Sequence, residues 1–406
     1  MDPAQLSGLF NLRGKVSLGL GPMEGLLAKL PSLKEHRQTI HFAGTNGKGS
    51  TLVTLESLLL ASGESVCSFT SPHLVKFNER FRVDGKSVSD QKLQEALGEV
   101  CQALGVGVED LAQTTSEQLG ASFFEISFAM ALLIGRHSDW MLVETGLGGR
   151  LDATNVLKAP RACVITSIGL DHTEYLGTDL ASITKEKLGI LKPGASVFLA
   201  PQAEEVGSLV RQHVRDMGLT LFESDPKELK GLSLGLSGEH QKENAATSVL
   251  IYRQMVPPEK QLGPIEVAHC LAEVSWPGRL ERLEEDILLD GAHNQAGFGR
   301  LLAHLKTHYK GKRVLLAVGW MQGKDLFDEV QTEDLDLTFL PLVGEYYGAS
   351  AHPETELSKL GPTLSPKRVA LAYEEWKAGR YEGFDLLVIA GSLYLIGELK
   401  AYLQSN

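Results

Sequence analysis

Short apolar runs alternate along most of the chain with longer stretches in which apolar residues recur every three or four positions. The short runs are rich in Val, Ile and Phe, as expected for buried strands, and the longer stretches are typical of amphipathic helices. This alternation predicts an α/β fold with a mostly parallel sheet covered by helices. The strands predicted before residue 275 are 39–43, 65–69, 140–144, 162–167 and 196–200, and the helices are 50–61, 122–134 and 179–188.

A domain boundary is predicted near Trp276-Pro277-Gly278-Arg279, because Pro and Gly there end the helical pattern of 240–255 and 264–274 and turn the chain. A chain of 406 residues also exceeds the roughly 250 to 300 residues that one hydrophobic core supports. We therefore expect a first domain over 1–277, a linker over 278–283 and a smaller, Rossmann-like α/β domain over 284–406. Its predicted strands are 286–290, 313–318, 336–342 and 385–390, and its predicted helices are 296–309 and 393–403.

Composition and charge exclude several classes of protein. A net charge of -12 opposes nonspecific nucleic-acid binding, so an anionic ligand must be held by a local site. The apolar runs are shorter than the roughly 20 residues of a membrane-spanning helix, and residues 1–15 lack the pattern of a signal peptide. The four cysteines form no CxxC pair, which argues against a zinc site or a disulfide framework. We expect a cytoplasmic protein without membrane or nucleic-acid partners.

A glycine-rich loop, Gly44-Thr45-Asn46-Gly47-Lys48-Gly49-Ser50, follows the first predicted strand and precedes a predicted helix. In that position backbone N–H groups, a helix N-terminus and a lysine can hold nucleotide phosphates, and Ser50 or Thr51 can offer a hydroxyl to Mg²⁺. The loop departs from the strict Walker pattern at Phe42, where a glycine is usual, and at Gly49, where Ser or Thr is usual. The alternative interpretation is a tight turn with a surface lysine.

Acidic and imidazole groups follow two further predicted strands, at Glu144 and at Asp171-His172. Ligands of open parallel sheets bind at the carboxyl ends of the strands, so these groups and Lys48 are expected to converge. A carboxylate and an imidazole suit a Mg²⁺ or Mn²⁺ that also contacts ATP. Taken alone, each residue is a weak signal, and a lone His after a strand is more often structural than functional.

The order of motifs resembles that of folylpolyglutamate synthase and dihydrofolate synthase, relatives of the Mur ligases, over nearly the whole chain. Besides the loop, the resemblance rests on motifs that begin at Thr70, Phe77, Glu144, Asp171, Lys185, Trp276, Asp290 and Gly391. It implies that a folate carboxylate attacks the γ-phosphate of ATP and that the amine of glutamate displaces phosphate from the acyl phosphate. The stretch from Gly149 to Asn155 looks like that of bacterial enzymes that also make dihydrofolate from dihydropteroate.

The resemblance also implies roles for single residues of the first domain. Lys48 and Ser50 would bind the ATP phosphates, and Ser71 with Glu144 would hold one Mg²⁺, to which Ser50 is a further ligand. His172 and a carbamylated Lys187 would hold a second Mg²⁺, and K⁺ is a further candidate ion. From the sequence alone, Lys187 would be interpreted as a solvated helix lysine. Lys48, His172 and Lys187 are the expected catalytic residues.

Further assignments fall towards the end of the chain. By resemblance, Asn244 would approach the adenine, and Arg279 and Asp290 would complete the nucleotide site. The three residues expected to bind the incoming glutamate are His293, Lys324 and Ser392. Lys324 could instead be a surface charge of a loop. The family's motif DGAHN is usually followed by proline, and Gln295 stands there instead.

Two other functions remain open at this stage. One is a Mur-type peptide ligase, although 406 residues leave little room for the extra UDP-binding domain of that group. The other is a P-loop switch protein that binds ATP without forming an amide. For the folate ligase the expected small-molecule partners are ATP, L-glutamate and folate or dihydropteroate, and the expected state is a monomer.

Overall fold

The computed structural model describes residues 8–10, 12, 19–30, 38–320, 332, 334–344 and 356–406. They form two compact units. The first unit holds the described parts of Met1–His73, Phe77–Ser233 and Glu243–Leu271, and the second holds Leu74–Lys76, Leu234–Lys242 and the described parts of Ala272–Asn406. The linker proposed over 278–283 stays a prediction.

The first unit is built on an eight-stranded sheet with the order β4-β3-β2-β5-β1-β6-β7-β8. The strands are β1 (Thr39–Ala43), β2 (Val66–Phe69), β3 (Phe81–Val83), β4 (Lys86–Ser87), β5 (Trp140–Glu144), β6 (Ala162–Ile165), β7 (Ser196–Leu199) and β8 (Leu221–Glu223). All neighbours from β2 to β8 run parallel, and only β3 and β4 are antiparallel. The carboxyl ends of β2, β5, β1 and β6 therefore lie side by side at one edge of the sheet.

Burial on both faces explains the continuous apolar runs of the central strands. Every residue of β1, β2, β5 and β6 is buried, as in other parallel sheets covered by helices on both sides. The α-helices that lie wholly or mainly in this unit are Gly21–Ala28, Lys48–Ala61, Asp90–Leu104, Ser116–Leu119, Phe123–Ile134, Thr173–Leu176, Leu180–Leu188, Glu204–Asp216, Glu239–Met255 and Pro264–Glu273. Short 3-10 helices occur at Phe77–Arg80, Glu109–Gln113, Ala153–Val156, Pro226–Leu229 and Pro258–Lys260.

Two amphipathic helices, Asp90–Leu104 and Glu204–Asp216, were not among the predicted elements. Each buries apolar residues at helical spacing, such as Leu93, Leu97 and Val100 in the first. Their signal is therefore present in the sequence. The short strands β3, β4 and β8 were not predicted either, because two or three residues give too little periodicity to detect.

The second unit contains a five-stranded sheet with the order β12-β11-β13-β10-β9. Its strands are β9 (Glu281–Glu284), β10 (Ile287–Asp290), β11 (Arg313–Val318), β12 (Asp336–Pro341) and β13 (Leu386–Ala390), and its helices are Gln295–His308, Val369–Lys377 and Leu393–Ser405. Only β9 is antiparallel to its neighbour. The α/β fold class predicted for both parts of the chain is confirmed. In the described part of the chain, no helix combines the length and the apolarity needed to cross a membrane.

Candidate active site

Four neighbouring strands of the first unit end in residues that the sequence singled out. Ser71 follows β2, Glu144 is the last residue of β5, the glycine-rich loop follows β1, and His172 follows β6. Since these strands are adjacent and parallel, their ends meet along one edge of the sheet.

The loop between β1 and the helix Lys48–Ala61 leaves no space for side chains at two of its glycines. A Cβ atom on Gly44 would lie 1.8 Å from Thr166 Oγ1, and one on Gly47 would lie 2.4 Å from Asn244 Oδ1. Gly47 also has a left-handed φ of 90° immediately before the helix begins. Asn244, which the resemblance placed near the adenine, therefore packs against the loop.

Two lysine ammonium groups donate to the same backbone oxygen. Lys48 Nζ lies 3.0 Å from Gly44 O and 3.3 Å from Thr45 O. Lys187 Nζ lies 2.9 Å from Gly44 O. Lys48 Nζ is also 3.9 Å from Glu144 Oε1. Positive charge is thus concentrated at the loop although the whole chain is acidic, and such a site favours an anion.

The burial of Lys187 corrects the interpretation from sequence alone as a solvated helix lysine. Lys187 is 4% exposed, because it lies with Ile183, Thr184 and Leu188 on the buried face of the helix Leu180–Leu188. Burial, and next the positive charge of Lys48, lowers the pKa of Lys187 from 10.5 to about 7. The carboxylates of Asp171 and Asp152 act in the opposite direction.

Glu144 and Ser71 lie next to each other, since Ser71 N donates to Glu144 Oε2 over 3.1 Å. Carboxylate and hydroxyl oxygens are suitable ligands for Mg²⁺. Ser50 is buried in the first turn of the helix that follows the loop. Among the described residues no three His, Cys, Asp or Glu side chains form a metal-binding group. A divalent ion here fits a site completed by hydroxyl groups and phosphate oxygens, as is usual for Mg²⁺ bound with a nucleotide.

His172 takes a left-handed backbone conformation, with φ of 50°, at the start of the short helix Thr173–Leu176. Its backbone N–H donates to Asp171 Oδ1 over 2.9 Å, and its imidazole lies 3.9 Å from the carboxylates of Asp171 and Glu174. Asp171 interacts electrostatically with Lys187. His172 therefore lies beside a carboxylate that acts on Lys187.

In the second unit, Asp290 ends β10 and accepts hydrogen bonds from Leu280 N and Ala292 N over 2.8 and 2.9 Å. Burial raises the pKa of Asp290, and the charge of Arg279 partly opposes this shift. The ring atom Nδ1 of His293 donates to Gly291 O over 2.7 Å in the tautomer that this contact requires.

Ser392 follows β13, the parallel neighbour of β10, and caps the helix Leu393–Ser405 by accepting from Tyr394 N over 3.2 Å. Asp290, His293 and Ser392 thus lie at the carboxyl ends of two adjacent strands of one sheet. Lys324 lies outside the described residues.

Three buried polar residues, to which the sequence analysis gave no catalytic or ligand role, are joined by hydrogen bonds. The side chains of His41, Thr154 and Asp152 form a hydrogen-bonded chain beneath the strand ends. His41 lies inside an apolar strand, where a polar residue is unexpected and is the only available signal. For Asp152 and Thr154 the sequence contains no spacing that predicts a contact with His41.

The chain is similar over its whole length to characterised enzymes. It is 31% identical to the dihydrofolate synthase/folylpolyglutamate synthase of Bacillus subtilis strain 168, covering 97% of this chain and 96% of that protein. It is also 31% identical to the enzyme of the same name from Escherichia coli K12, covering 99% and 95%. No family model matches the chain.

Solved structures agree with these relatives. The E. coli FolC structure in complex with DHPP and ADP superposes with a TM-score of 0.82 at 28% identity, covering 99% of this chain and 98% of that one. The bifunctional folylpolyglutamate synthase/dihydrofolate synthase of Yersinia pestis, complexed with AMPPNP and Mn, gives a TM-score of 0.80 at 27% identity, covering 99% and 97%.

The burial of Lys187 predicts how its removal changes stability with pH. Below about pH 7 both the folded and the unfolded chain carry a protonated Lys187, so burial of the charge costs its full free energy. Between about pH 7 and 10.5 the unfolded chain binds more protons than the folded one, so stability rises with pH. Lys187→Met should therefore be more stable than the wild type at pH 6, by a few kcal/mol at most, and this difference should shrink towards pH 10.

Urea denaturation of the ligand-free protein at pH 6, 8 and 10, in buffers freed of carbon dioxide and metal ions, measures the difference. Lys185→Met, on the exposed side of the same helix, is the matched control and should show no such trend. A difference between Lys187→Met and wild type that stays constant from pH 6 to 10 would contradict this assignment.

Proposed function

Because the chain belongs to the family of dihydrofolate synthases and folylpolyglutamate synthases, we propose that it is an ATP-dependent ligase that joins L-glutamate to folate-type carboxylates. The observation that carries the proposal is the pair of lysines at Gly44 O, next to Glu144 and Ser71. We further propose both activities, polyglutamylation of tetrahydrofolate and synthesis of dihydrofolate from dihydropteroate, since the bacterial relatives are named for both.

In the proposed reaction a carboxylate oxygen of the folate attacks the γ-phosphorus of ATP, which forms an acyl phosphate and releases ADP. The amino nitrogen of glutamate then attacks the acyl carbon, which releases phosphate and a proton. Phosphorylation is needed because a carboxylate has no leaving group that an amine can displace at a useful rate. Cations near the transferring group stabilise the charge that develops on its oxygens.

The loop and its lysines would bind the triphosphate. Lys48 now donates to two carbonyl oxygens of its own loop, and phosphate oxygens would replace these weaker acceptors with charge-assisted partners. The backbone of Gly44-Thr45-Asn46-Gly47 would surround the phosphates, with Gly49 and Ser50 at the helix N-terminus below them. The contact of Asn244 with Gly47 supports its assignment to the nucleotide.

Two divalent cations would accompany ATP. Ser50, Ser71 and Glu144 would hold one, and His172 with Lys187 would hold the other, while K⁺ is a further candidate ion. The cations would neutralise charge on the phosphoryl oxygens. Lys187 can serve as an anionic ligand only if carbon dioxide adds to its neutral amine to form a carbamate, with release of a proton. Its place beside the loop supports that assignment.

Arg279 and Asp290 are proposed to contribute to the nucleotide site, and His293, Lys324 and Ser392 to bind glutamate. His293 and Ser392 follow two adjacent parallel strands that end at one edge of the sheet, which supports their assignment to the same ligand. A cationic lysine and hydroxyl donors suit an amino acid with two carboxylates. We also propose a monomer in the cytoplasm, a compartment that suits four free, buried cysteines.

Incubation of the purified protein with ATP, Mg²⁺ and L-glutamate tests the function directly. With either dihydropteroate or tetrahydrofolate present, ADP release should depend on glutamate, and mass spectrometry should detect a product one glutamate heavier. ADP release without glutamate dependence, together with no new amide, would refute the ligase and favour a nucleotide-dependent switch. A product from only one acceptor would restrict the proposal to a single activity.

Lys48→Ala should lower kcat by at least 10²-fold, the usual cost of losing one electrostatic contact to a transition state. The fold should persist, because Lys48 donates to carbonyl groups of its own loop, is 3.9 Å from Glu144 Oε1 and carries a charge that lowers the pKa of Lys187. Steady-state kinetics and thermal unfolding of Lys48→Ala and of the exposed-site control Lys185→Ala measure both effects. Near-normal turnover of Lys48→Ala would remove the loop from the proposed nucleotide site.

Lys187→Ala should be nearly inactive and should regain part of its activity in added acetate, because a small carboxylate can occupy the volume and charge of a carbamate. Activity is measured against acetate concentration, with chloride at the same ionic strength as the control. Mass spectrometry of the wild type under carbon dioxide, with carbamates trapped by alkylation, should locate the modification at Lys187. An unmodified Lys187 in a fully active enzyme would contradict the carbamate.

A further inference from the structure

A chain of buried polar side chains connects β1 to the loop that follows β5. His41 is fully buried in the middle of β1, and its Nε2 lies 2.8 Å from Thr154 Oγ1. The hydroxyl of Thr154 in turn donates to Asp152 Oδ1. Thr154 and Asp152 are 0% and 5% exposed. None of the three presents a surface to solvent that a substrate could readily reach, so any effect of these side chains on a bound ligand would be indirect.

The number of hydrogens on each side chain determines which atom donates in these two hydrogen bonds. Thr154 has one hydroxyl hydrogen, and Asp152 receives it, so Oγ1 must accept a hydrogen from His41 Nε2. The neutral ring then has a lone pair on Nδ1, which has no hydrogen-bond partner within the described ranges. Burial lowers the pKa of His41 to about 3, which keeps the ring neutral at physiological pH.

Asp152 joins the two ends of the loop. Its Oδ2 accepts from Leu147 N over 2.7 Å, and its Oδ1 accepts from Thr154 N over 3.0 Å. The backbone of Gly146 donates to it as well. Among the described residues, the Thr154 hydroxyl is the only side-chain group that donates a hydrogen bond to this carboxylate.

The same loop touches both groups of proposed metal ligands. It begins immediately after Glu144, and its Arg150 N donates to Glu186 O over 2.7 Å, one residue before Lys187. Gly149 packs so closely there that a Cβ atom would lie 2.9 Å from Lys187 O. A displacement of this loop would therefore change the separation of Glu144 and Lys187.

We propose that His41 is a positioning residue which, through Thr154 and Asp152, fixes the loop 145–155 and with it the relative placement of Glu144 and Lys187. The inference rests on the proposed function, because Glu144 and Lys187 are assigned there to metal binding. His41 Nε2–H donates to Thr154 Oγ1. The hydroxyl hydrogen of Thr154 therefore remains available for Asp152. Loss of the His41 donor removes one of the two hydrogen bonds of the buried Thr154 hydroxyl and leaves its bond to Asp152 less constrained.

Two pairs of variants separate hydrogen bonding from packing. His41→Gln keeps a donor close to the position of Nε2, whereas His41→Met keeps a similar volume without a donor. Thr154→Ser keeps the hydroxyl, whereas Thr154→Val keeps the shape and removes it. Val197→Ala, in the buried strand β7, is the control for a general loss of stability.

Hydrogen exchange measured by mass spectrometry reports on the loop without requiring activity. In His41→Met and Thr154→Val, exchange of the amides in 145–152 should accelerate by roughly fivefold or more, as expected for the loss of about one neutral hydrogen bond. The Mg²⁺ concentration that gives half-maximal ligase activity should rise by a similar factor, with kcat at saturating Mg²⁺ changed less. His41→Gln and Thr154→Ser should remain near wild type in both measurements.

Several results would overturn the inference. One is wild-type exchange and Mg²⁺ dependence in His41→Met, and another is equal impairment of His41→Gln and His41→Met, which would indicate packing alone. Acceleration spread evenly over the chain, as expected for Val197→Ala, would also contradict it. If the wild-type protein forms no amide, the proposed function fails, while the exchange pattern still decides whether His41 positions the loop.

Discussion

The site of the first unit depends on one close contact, in which the side-chain nitrogens of two lysines donate to the carbonyl oxygen of Gly44. Lys48 and Lys187 both donate to Gly44 O, and burial, followed by the positive charge of Lys48, lowers the pKa of Lys187. Such an arrangement is unfavourable unless an anion or a loss of charge relieves it. A bound triphosphate would supply the anion, and conversion of Lys187 to a carbamate would remove its positive charge. The proposed chemistry uses both.

The sheet makes this proximity possible. With the order β2-β5-β1-β6 and all neighbours parallel, four strand ends lie along one edge, and each carries a residue of the site. The glycines of the loop then let the backbone approach its neighbours, since Gly44 and Gly47 each contact a side chain where a Cβ atom would lie. His41, Thr154 and Asp152 connect β1 with the loop 145–155, and the backbone of Arg150 in that loop donates to Glu186 O, one residue before Lys187.

Much of this arrangement could be predicted from the sequence, because it depends on local patterns. The order strand, glycine loop, helix is visible in residues 39–61, and buried parallel strands are visible as continuous apolar runs. The burial of Lys187 was not predictable from its helix, since Leu180–Leu188 alone does not indicate which neighbours cover it. The contact of His41 with Thr154 joins residues 113 positions apart. Only the three-dimensional pairing of β1 with its neighbours brings these two together.

Anomalous diffraction from a crystal grown with Mn²⁺ and a non-hydrolysable ATP analogue tests the central claim most directly. The account predicts a triphosphate enclosed by residues 44–50, with a Mn²⁺ peak within bonding distance of Ser71 and Glu144 and with Lys48 turned from Gly44 O towards the phosphates. A nucleotide bound elsewhere, or Mn²⁺ peaks away from Glu144 while Lys48 keeps its present contacts, would contradict the account.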